Sequence, residues 1–159
     1  MLVLAALIAT AAFSSADICD DPIPGGVGEP PFCVFYEPAL IQTPYFSFEA
    51  QPGPYVGIDE GGARVVIEGS IRQSPVGLRI FAHTLDQQGA LMHQFGTCGN
   101  MAAGSDSALV CDRSDEHFIR FSKLLMGTKR IILVETWAAQ TAAAHFPVYK
   151  EMLESVSPE

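Results

Sequence analysis

Four histidines are the side chains of this 159-residue chain that could most readily carry metal or acid–base chemistry. They are His83, His93, His117 and His145. No two of them are two or four positions apart, the spacings that place two imidazoles on one face of a strand or helix. A metal site would have to be assembled by tertiary structure alone, and we predict neither a metal ion nor another cofactor.

The run Asp115-Glu116-His117 places carboxylates beside an imidazole, as general acid–base catalysis requires. It defines an alternative function, a small exported hydrolase or metal-dependent enzyme that uses His117 with Asp115 or Glu116. The same residue types are common in solvated turns. Because the sequence has no Gly-x-Ser-x-Gly nucleophile elbow, phosphate-binding glycine loop or EF-hand calcium loop, we expect a protein that is not an enzyme.

The four cysteines predict disulfide chemistry. Their even number and the lack of a Cys-x-x-Cys pair fit an oxidising compartment. Three pairings are possible, and spacing favours the two local ones, Cys19 with Cys33 and Cys98 with Cys111. Each would close a short loop and contribute about 3 kcal/mol on the chain-entropy account. The second disulfide would link two neighbouring strands across the loop from Gly99 to Asp106.

The first sixteen residues have the pattern of a secretory signal peptide. The segment is apolar and uncharged from Leu2 to Phe13, and Ser14 and Ala16 stand at the −3 and −1 positions of a cleavage site. The amino-terminal part lacks Lys and Arg, and a retained membrane anchor, which needs about 20 apolar residues, is the alternative. We expect a periplasmic or secreted protein with no stable transmembrane anchor after cleavage.

Acidic charge is concentrated in the first part of the chain. The net charge is −9, and eight Asp and Glu precede Arg64, the first basic residue, whereas the ten later acids nearly balance the nine bases. This balance excludes a nucleic-acid partner, which would require clustered Lys and Arg. Residues 17–54 also contain eight of the eleven prolines, so we predict an irregular arm of the same domain, held by the first disulfide.

This acidic arm, residues 17–54, is the candidate binding surface. Its proposed contact residues are Asp20, Asp21, Glu29, Glu37, Phe35 and Tyr36. Acidic and aromatic side chains together suit a protein partner with a basic surface. The alternative is that the aromatic side chains only attach the arm to the rest of the domain.

The remainder of the chain predicts an α+β fold over residues 45–159. Hydrophobic side chains alternate with polar ones along seven segments, separated by short turns that favour an antiparallel meander. The segments are Tyr45–Ala50, Arg64–Arg72, Leu78–Leu85, Leu91–Cys98, Ala108–Asp112, His117–Leu125 and Arg130–Trp137. Phe146, Tyr149, Leu153 and Val156 then recur with helical spacing. We therefore expect a twisted antiparallel sheet of about six to seven strands with a C-terminal amphipathic helix packed on one face, and Ala138–Ala144 is either a helical extension or a loop.

The segment Arg130–Trp137, followed by Phe146–Val156, resembles the closing strand and helix of the DcrB and PsbP-like family of exported α+β domains. The strand Tyr45–Ala50, ahead of a Pro-Gly turn, is similar to the opening strand of that family. The resemblance covers about a third of the chain, and the four cysteines and the acidic arm depart from it. It implies an exported, accessory, non-enzymatic role and supplies no catalytic residue.

The sequence thus predicts a small exported, periplasmic protein that acts by protein binding in the cell envelope. An immunity or inhibitor protein, or an accessory lipoprotein-like factor, would fit this description. A mainly structural envelope protein, with no saturable soluble partner, is a third hypothesis.

Overall fold

The computed structural model describes residues 14–59, 61–69, 75–98, 101–103 and 108–159. Residues 1–13 of the predicted signal peptide and most of the predicted Gly99 to Asp106 loop lie outside the described residues. The chain forms an α+β fold with an eight-stranded antiparallel sheet and a three-stranded one, which confirms the predicted fold class. No helix in the described ranges is long and apolar enough to cross a membrane.

The described residues form eleven strands and three α-helices. They are α1 Ser15–Ile18, β1 Phe32–Val34, β2 Ala39–Gln42, β3 Phe46–Ala50, β4 Tyr55–Ile58, β5 Arg64–Glu68, β6 Val76–His83, α2 Gln88–Gly96, β7 Met101–Ala103, β8 Leu109–Asp112, β9 Phe118–Met126, β10 Ile131–Ala139, α3 Phe146–Ser155 and β11 Ser157–Pro158. Short 3-10 helices at Leu85–Gln87 and Gln140–His145 precede α2 and α3. The segment Ala138–Ala144, which the sequence left open between helix and loop, consists of the end of β10 followed by the second 3-10 helix.

The large sheet consists of two meanders placed side by side. Its strand order is β1-β4-β5-β6-β10-β9-β8-β7, and every neighbouring pair is antiparallel. The chain leaves β6 through α2 and reaches β7 at the far edge, so β6 pairs with β10 and not with the next strand in sequence. The single continuous meander expected from the short turns is therefore wrong.

One face of the large sheet is closed by α3 and the three-stranded sheet β11-β3-β2. Phe46 and Phe48 from β3 and Met152 from α3 are fully buried there with Leu78 and Ile80 of β6. Helix α3 has the predicted amphipathic pattern, since Phe146, Tyr149, Met152 and Leu153 are buried and Pro147 lies in the first turn, where its missing N–H costs nothing. The predicted C-terminal helix on one face is confirmed.

The predicted strand Leu91–Cys98 is wrong, because this segment belongs to helix α2. Leu91 and Phe95 are four positions apart and are both buried, while Met92 is exposed, which is a helical and not an alternating pattern. The turn that starts the helix is stabilised by Gln87, whose Oε1 accepts a hydrogen bond from the Thr84 N–H at 3.1 Å. The segment Tyr45–Ala50 is a strand as predicted, but it pairs with β2 and β11 outside the large sheet.

Candidate functional site

The acidic arm is attached covalently and by hydrogen bonds to one edge of the large sheet. The disulfide Cys19–Cys33 joins its start to β1, which pairs with β4. Ile23 and Phe32 of the arm also exchange two backbone hydrogen bonds, at 2.7 and 2.8 Å, which hold its first part against β1. The arm is not mostly helical, as its composition predicted, and β1 is a short edge strand between prolines. The arm also contains β2 and β3, so it is less irregular than the sequence predicted.

The four acidic side chains predicted as binding residues all lie at the protein surface. Asp20, Asp21, Glu29 and Glu37 are exposed. Within the described part of the chain, none of them has a Lys, Arg or His partner within 4.0 Å, since the ion pairs there join other residues. Glu29 does make a local contact, because its Oε2 accepts a hydrogen bond from the Gly26 N–H at 3.1 Å. The arm therefore presents negative charge that the described residues leave uncompensated.

The two predicted aromatic contact residues differ in their surroundings. Phe35 is half-buried and packs against the main hydrophobic core, so it attaches the arm to the domain. Tyr36, the next residue, is 90% exposed and precedes the exposed Glu37. Only Tyr36 is therefore available to a partner without rearrangement of the core.

The Asp115-Glu116-His117 run forms an exposed turn ahead of β9. The Asp115 Oδ1 accepts hydrogen bonds from the N–H groups of His117 and Phe118, both at 2.8 Å, and these bonds lower the pKa of the Asp115 carboxyl. His117 Nε2 lies 3.4 Å from Glu116 Oε1, with the two side chains 75% and 85% exposed. No group of three or more His, Cys, Asp or Glu in the described ranges could hold a metal ion. The Asp115 carboxylate thus stabilises the turn.

Both predicted disulfides are present, and the second holds a helix to the sheet. Cys98 lies just after α2, and Cys111 is buried in β8. The predicted link between two neighbouring strands is wrong, because the segment that leads to Cys98 is helical. Two disulfides are typical of proteins in an oxidising, extracellular environment.

A second surface, which sequence analysis did not single out, lies on the sheet face opposite α3. The Arg79 guanidinium stands over the Trp137 ring, 5.0 Å from its centroid, and the Arg120 guanidinium stands 4.7 Å from the centroid of Phe118. Trp137 and Arg120 are directly opposite each other on β10 and β9. Such cation–π pairs hold each guanidinium close to an aromatic ring without using its N–H donors. We call these four residues the arginine–aromatic face.

Gly77 explains why the Trp137 ring lies flat on the sheet. A Cβ atom at Gly77 would stand 2.4 Å from Cζ2 of Trp137, so only glycine leaves room for the ring. The sequence signal for this surface is the alternation along β9 and β10, where Phe118, Arg120 and Trp137 share one face. The alternation alone could not show that no element of the described residues covers this part of the face.

Comparisons with known proteins add no family assignment. No family model, curated protein or solved structure matches this chain. The relationship to DcrB and PsbP-like domains therefore stays a prediction from the residues Arg130–Trp137 and Phe146–Val156.

Proposed function

We propose that this chain is a small exported protein, periplasmic or secreted, that acts by binding a protein partner in the cell envelope and not by catalysis. The acidic arm is the contact surface, and the partner presents a basic one. An immunity or inhibitor protein that covers a basic site of its target would work in this way, and so would an accessory envelope factor.

The observation that carries this proposal is an arm held by a disulfide and by the pairing of β1 with β4, whose exposed acids have no cationic partner within the described chain. Asp20, Asp21 and Glu37 are exposed beside residues held by Cys33 and β1, so little backbone entropy is lost when a partner binds. Complementary charge speeds encounter and selects a basic partner over an acidic one. Tyr36 supplies an aromatic side chain of the kind that dominates binding energy at interfaces.

Export is supported by two independent features. The first is the apolar segment Leu2–Phe13 followed by small residues, which is typical of signal peptides. The second is the pair of disulfides, which would be reduced in a cytosolic environment.

The test is charge reversal on the arm with a matched control elsewhere. The arm variant carries Asp20→Lys, Asp21→Lys, Glu29→Lys and Glu37→Lys, and the control carries Asp86→Lys, Glu116→Lys, Glu151→Lys and Glu154→Lys, four exposed acids outside the arm. The two variants have the same net charge. Proteins that co-purify with wild type from the native host are quantified for each, with circular dichroism to verify folding.

We expect the arm variant to lose the partner and the control variant to retain it. Equal recovery with both variants would contradict the proposal, and equal loss would show that only total charge matters. Tyr36→Ala is expected to weaken binding at unchanged charge, and Tyr36→Phe to weaken it less because the ring remains.

The alternative enzyme proposal rests on the contact between His117 and Glu116. Metal analysis of the purified protein and a panel of hydrolase substrates with wild type and His117→Ala decide it. Stoichiometric bound metal, or an activity that His117→Ala abolishes, would favour the enzyme. A metal-free protein without such an activity would remove this alternative.

A further inference from the structure

Strand β2 forms the outer border of the three-stranded sheet, within the acidic arm. The strand order of this sheet is β11-β3-β2, so β2 pairs with β3 on one side, and no strand of the described residues follows on the other. Leu40 is 66% exposed and Gln42 is also exposed, whereas Ile41 between them is buried in the main core. The inner face of β2 therefore holds it in place, while its outer edge lies at the surface.

The backbone groups of Leu40 and Gln42 point away from β3. The register places Leu40 opposite Glu49, and Gln42 opposite Ser47. The Glu49 N–H donates a hydrogen bond to the Ser155 hydroxyl at 2.9 Å, on the side of β3 that faces β11, so Leu40 and Glu49 are a non-hydrogen-bonded pair. Because bonded and non-bonded pairs alternate along an antiparallel ladder, Gln42 and Ser47 are another such pair. The N–H and C=O groups of both β2 residues thus point outward, and no described residue forms a hydrogen bond with them.

The outer edge of β2 lacks the features that normally block such a border. Exposed edge strands are commonly protected by proline, by charged side chains or by a bulge. The strand Ala39–Gln42 contains neither a proline nor a charged residue. By contrast, β11 at the other border of the same sheet contains Pro158, and β1 of the large sheet is bridged by Ile23. Of these three borders, β2 is the one that is open to an added strand.

The charge around β2 decides which kind of strand fits. Glu37 is exposed two residues before the strand, and Glu49 is exposed on the neighbouring β3. Neither carboxylate has a Lys, Arg or His within 4.0 Å in the described chain, although Glu49 accepts a hydrogen bond from the Gln51 side chain at 2.8 Å. A second copy of this chain, added through its own β2, would place two acidic arms side by side. A segment that carries Lys or Arg would instead bring the opposite charge.

We infer that the protein partner adds an extended strand to the outer edge of β2, and that this strand carries Lys or Arg among apolar residues. Its N–H and C=O groups pair with those of Leu40 and Gln42, as in other cases of strand addition to a sheet edge. Its basic side chains lie on the solvent face near Glu37 and Glu49, and the exposed Tyr36 stands three residues ahead of β2. The inference rests on the proposed function, because β2 is part of the acidic arm, and it adds the form in which the partner is bound.

The test is hydrogen exchange, followed by amide nuclear magnetic resonance on the isotope-labelled full chain, with a synthetic peptide as the probe. The basic peptide alternates lysine and valine, and its acidic counterpart has glutamate in place of lysine. At saturation with the basic peptide, we expect the amides of Leu40 and Gln42 to exchange more slowly. The Ile41 amide points towards β3 and should change little. This alternation distinguishes strand addition from loose adhesion by charge.

Four results of this experiment would contradict strand addition. Absence of saturable binding of the basic peptide is the first, and equal affinity for the acidic peptide is the second. The third is binding without slower exchange at Leu40 and Gln42. The fourth is slower exchange at these two amides when the protein concentration is raised without peptide, which would show that a second copy occupies the edge.

Variants at position 40 separate the backbone from the side chain. Leu40→Pro removes the outward N–H and leaves the hydrogen bonds between β2 and β3 in place, since the outer side of an edge strand tolerates proline. It should weaken binding of the basic peptide about five-fold, from the usual worth of one hydrogen bond. Leu40→Thr keeps the N–H in a residue that favours strands, so it is the matched control and should bind within about two-fold of wild type. Gln42→Pro repeats the test at the second outward N–H, and wild-type affinity in a folded proline variant would overturn the inference.

The local charge is tested by combining Glu37→Lys with Glu49→Lys. The control combines Asp86→Lys with Glu151→Lys, at exposed sites outside the arm, and has the same net charge. The first pair should weaken binding of the basic peptide, and the control pair should bind it more tightly than the first. Equal affinities would contradict the selection of a basic strand.

The proposed function and this inference can fail separately. Leu40→Pro and Leu40→Thr are carried through the same co-purification as the arm variant with four reversed charges. If the partner is lost with the arm variant but kept with a folded Leu40→Pro, the acidic contact surface stands and strand addition is wrong. If the arm variant keeps the partner while Leu40→Pro loses it and Leu40→Thr does not, strand addition stands and the acidic contact surface is wrong.

Discussion

The sheet face opposite α3 has two halves that differ in what covers them. In the covered half, Leu91 and Phe95 of α2 pack on Leu124, Ile131 and Leu133. In the other half, called the open half because no element of the described residues covers it, strands β6, β9 and β10 carry the arginine–aromatic face. Strand β10 changes from apolar to polar between Leu133 and Glu135, both on this face. The composition of a single strand thus decides where a helix can pack and where the sheet can meet another molecule.

The covered half depends on few contacts. Helix α2 buries only two of its nine residues, Leu91 and Phe95, and the disulfide Cys98–Cys111 holds its end. The other face, under α3, has a much larger core. Helix α2 is therefore the element whose packing a single substitution should disturb most, whereas the exposed side chains of the open half should tolerate truncation better.

The largest effect is expected from Phe95→Ala. Removing this fully buried ring should lower the free energy of unfolding by about 3–5 kcal/mol, because it leaves a cavity beneath α2. Urea denaturation measures the change. Met92→Ala, at an exposed position of the same helix, is the control and should change stability by less than about 0.5 kcal/mol. Similar small losses for both variants would show that α2 contributes little to stability.

A somewhat smaller loss is expected when the disulfide of the covered half is removed. The double variant Cys98→Ala, Cys111→Ala should lose about 3 kcal/mol, as expected for a loop closed over 13 positions. Hydrogen exchange should become faster in the amides of α2 before it does so in β10. If α2 amides kept wild-type protection, the disulfide would not be what holds the helix on the sheet.

In the open half, Gly77→Ala should cost about 1–3 kcal/mol by forcing Trp137 from its place on the sheet. The fluorescence of Trp137, the one tryptophan in the chain, should shift to longer wavelength as its ring becomes more exposed. Gly89→Ala is the matched control, since a Cβ there meets nothing within 4 Å and a helical position favours alanine. It should stabilise the protein by up to about 1 kcal/mol, and a comparable loss in both variants would contradict the account of Trp137.

Arg120→Ala should have a small effect on stability, below about 1 kcal/mol, because its cation–π pair with Phe118 is at the surface. Thermal unfolding compares it directly with Phe95→Ala. A loss as large as that of Phe95→Ala would show that the open half also stabilises the fold, and that it is not free to change.

The smallest effect concerns Glu68. Partial burial and the negative charge of Glu29 raise the pKa of this carboxyl above its ordinary value of 4.5. The folded state then holds this proton to higher pH than the unfolded state, so stability falls as pH rises through the window above 4.5. Glu68→Gln should be slightly more stable than wild type at pH 7, and the difference should close below pH 4.5. Glu151→Gln, at an exposed site on α3, controls for the loss of one charge. A gap that is the same at both pH values would contradict this assignment.

Local patterns were enough to predict several features of the fold. The α+β class, the helix α3 and both cysteine pairs follow from periodicity and spacing in the sequence. The segment Leu91–Cys98 was misassigned because a short apolar run fits both a helix and a strand, and only the burial of Leu91 and Phe95 separates them. Strand pairing could not be predicted, since the partners of Phe46–Ala50 lie in β2 and at the far end of the chain.

The candidate surfaces also differ in whether the sequence alone could predict them. Exposure of Asp20 and Glu37 follows from their place in a proline-rich segment, so composition was sufficient. The arginine–aromatic face depends on which strands are neighbours, because Arg79 comes from β6 and reaches Trp137 on β10. A pocket of about 410 Å³ beside the first turn of α3 likewise joins residues from four parts of the chain, and no local pattern marks it.

The short strands at the two borders of the large sheet bear on how the protein behaves at high concentration. Both β1 and β7 have three residues and stand at the two ends of the strand order. Ile23 also forms a bridge with Phe32, which occupies backbone groups of β1. A foreign strand needs a run of unpaired N–H and C=O groups to extend a sheet into a fibril, and three residues offer few of them. In the described part of the chain, the two borders of the large sheet therefore offer little template for amyloid-like growth.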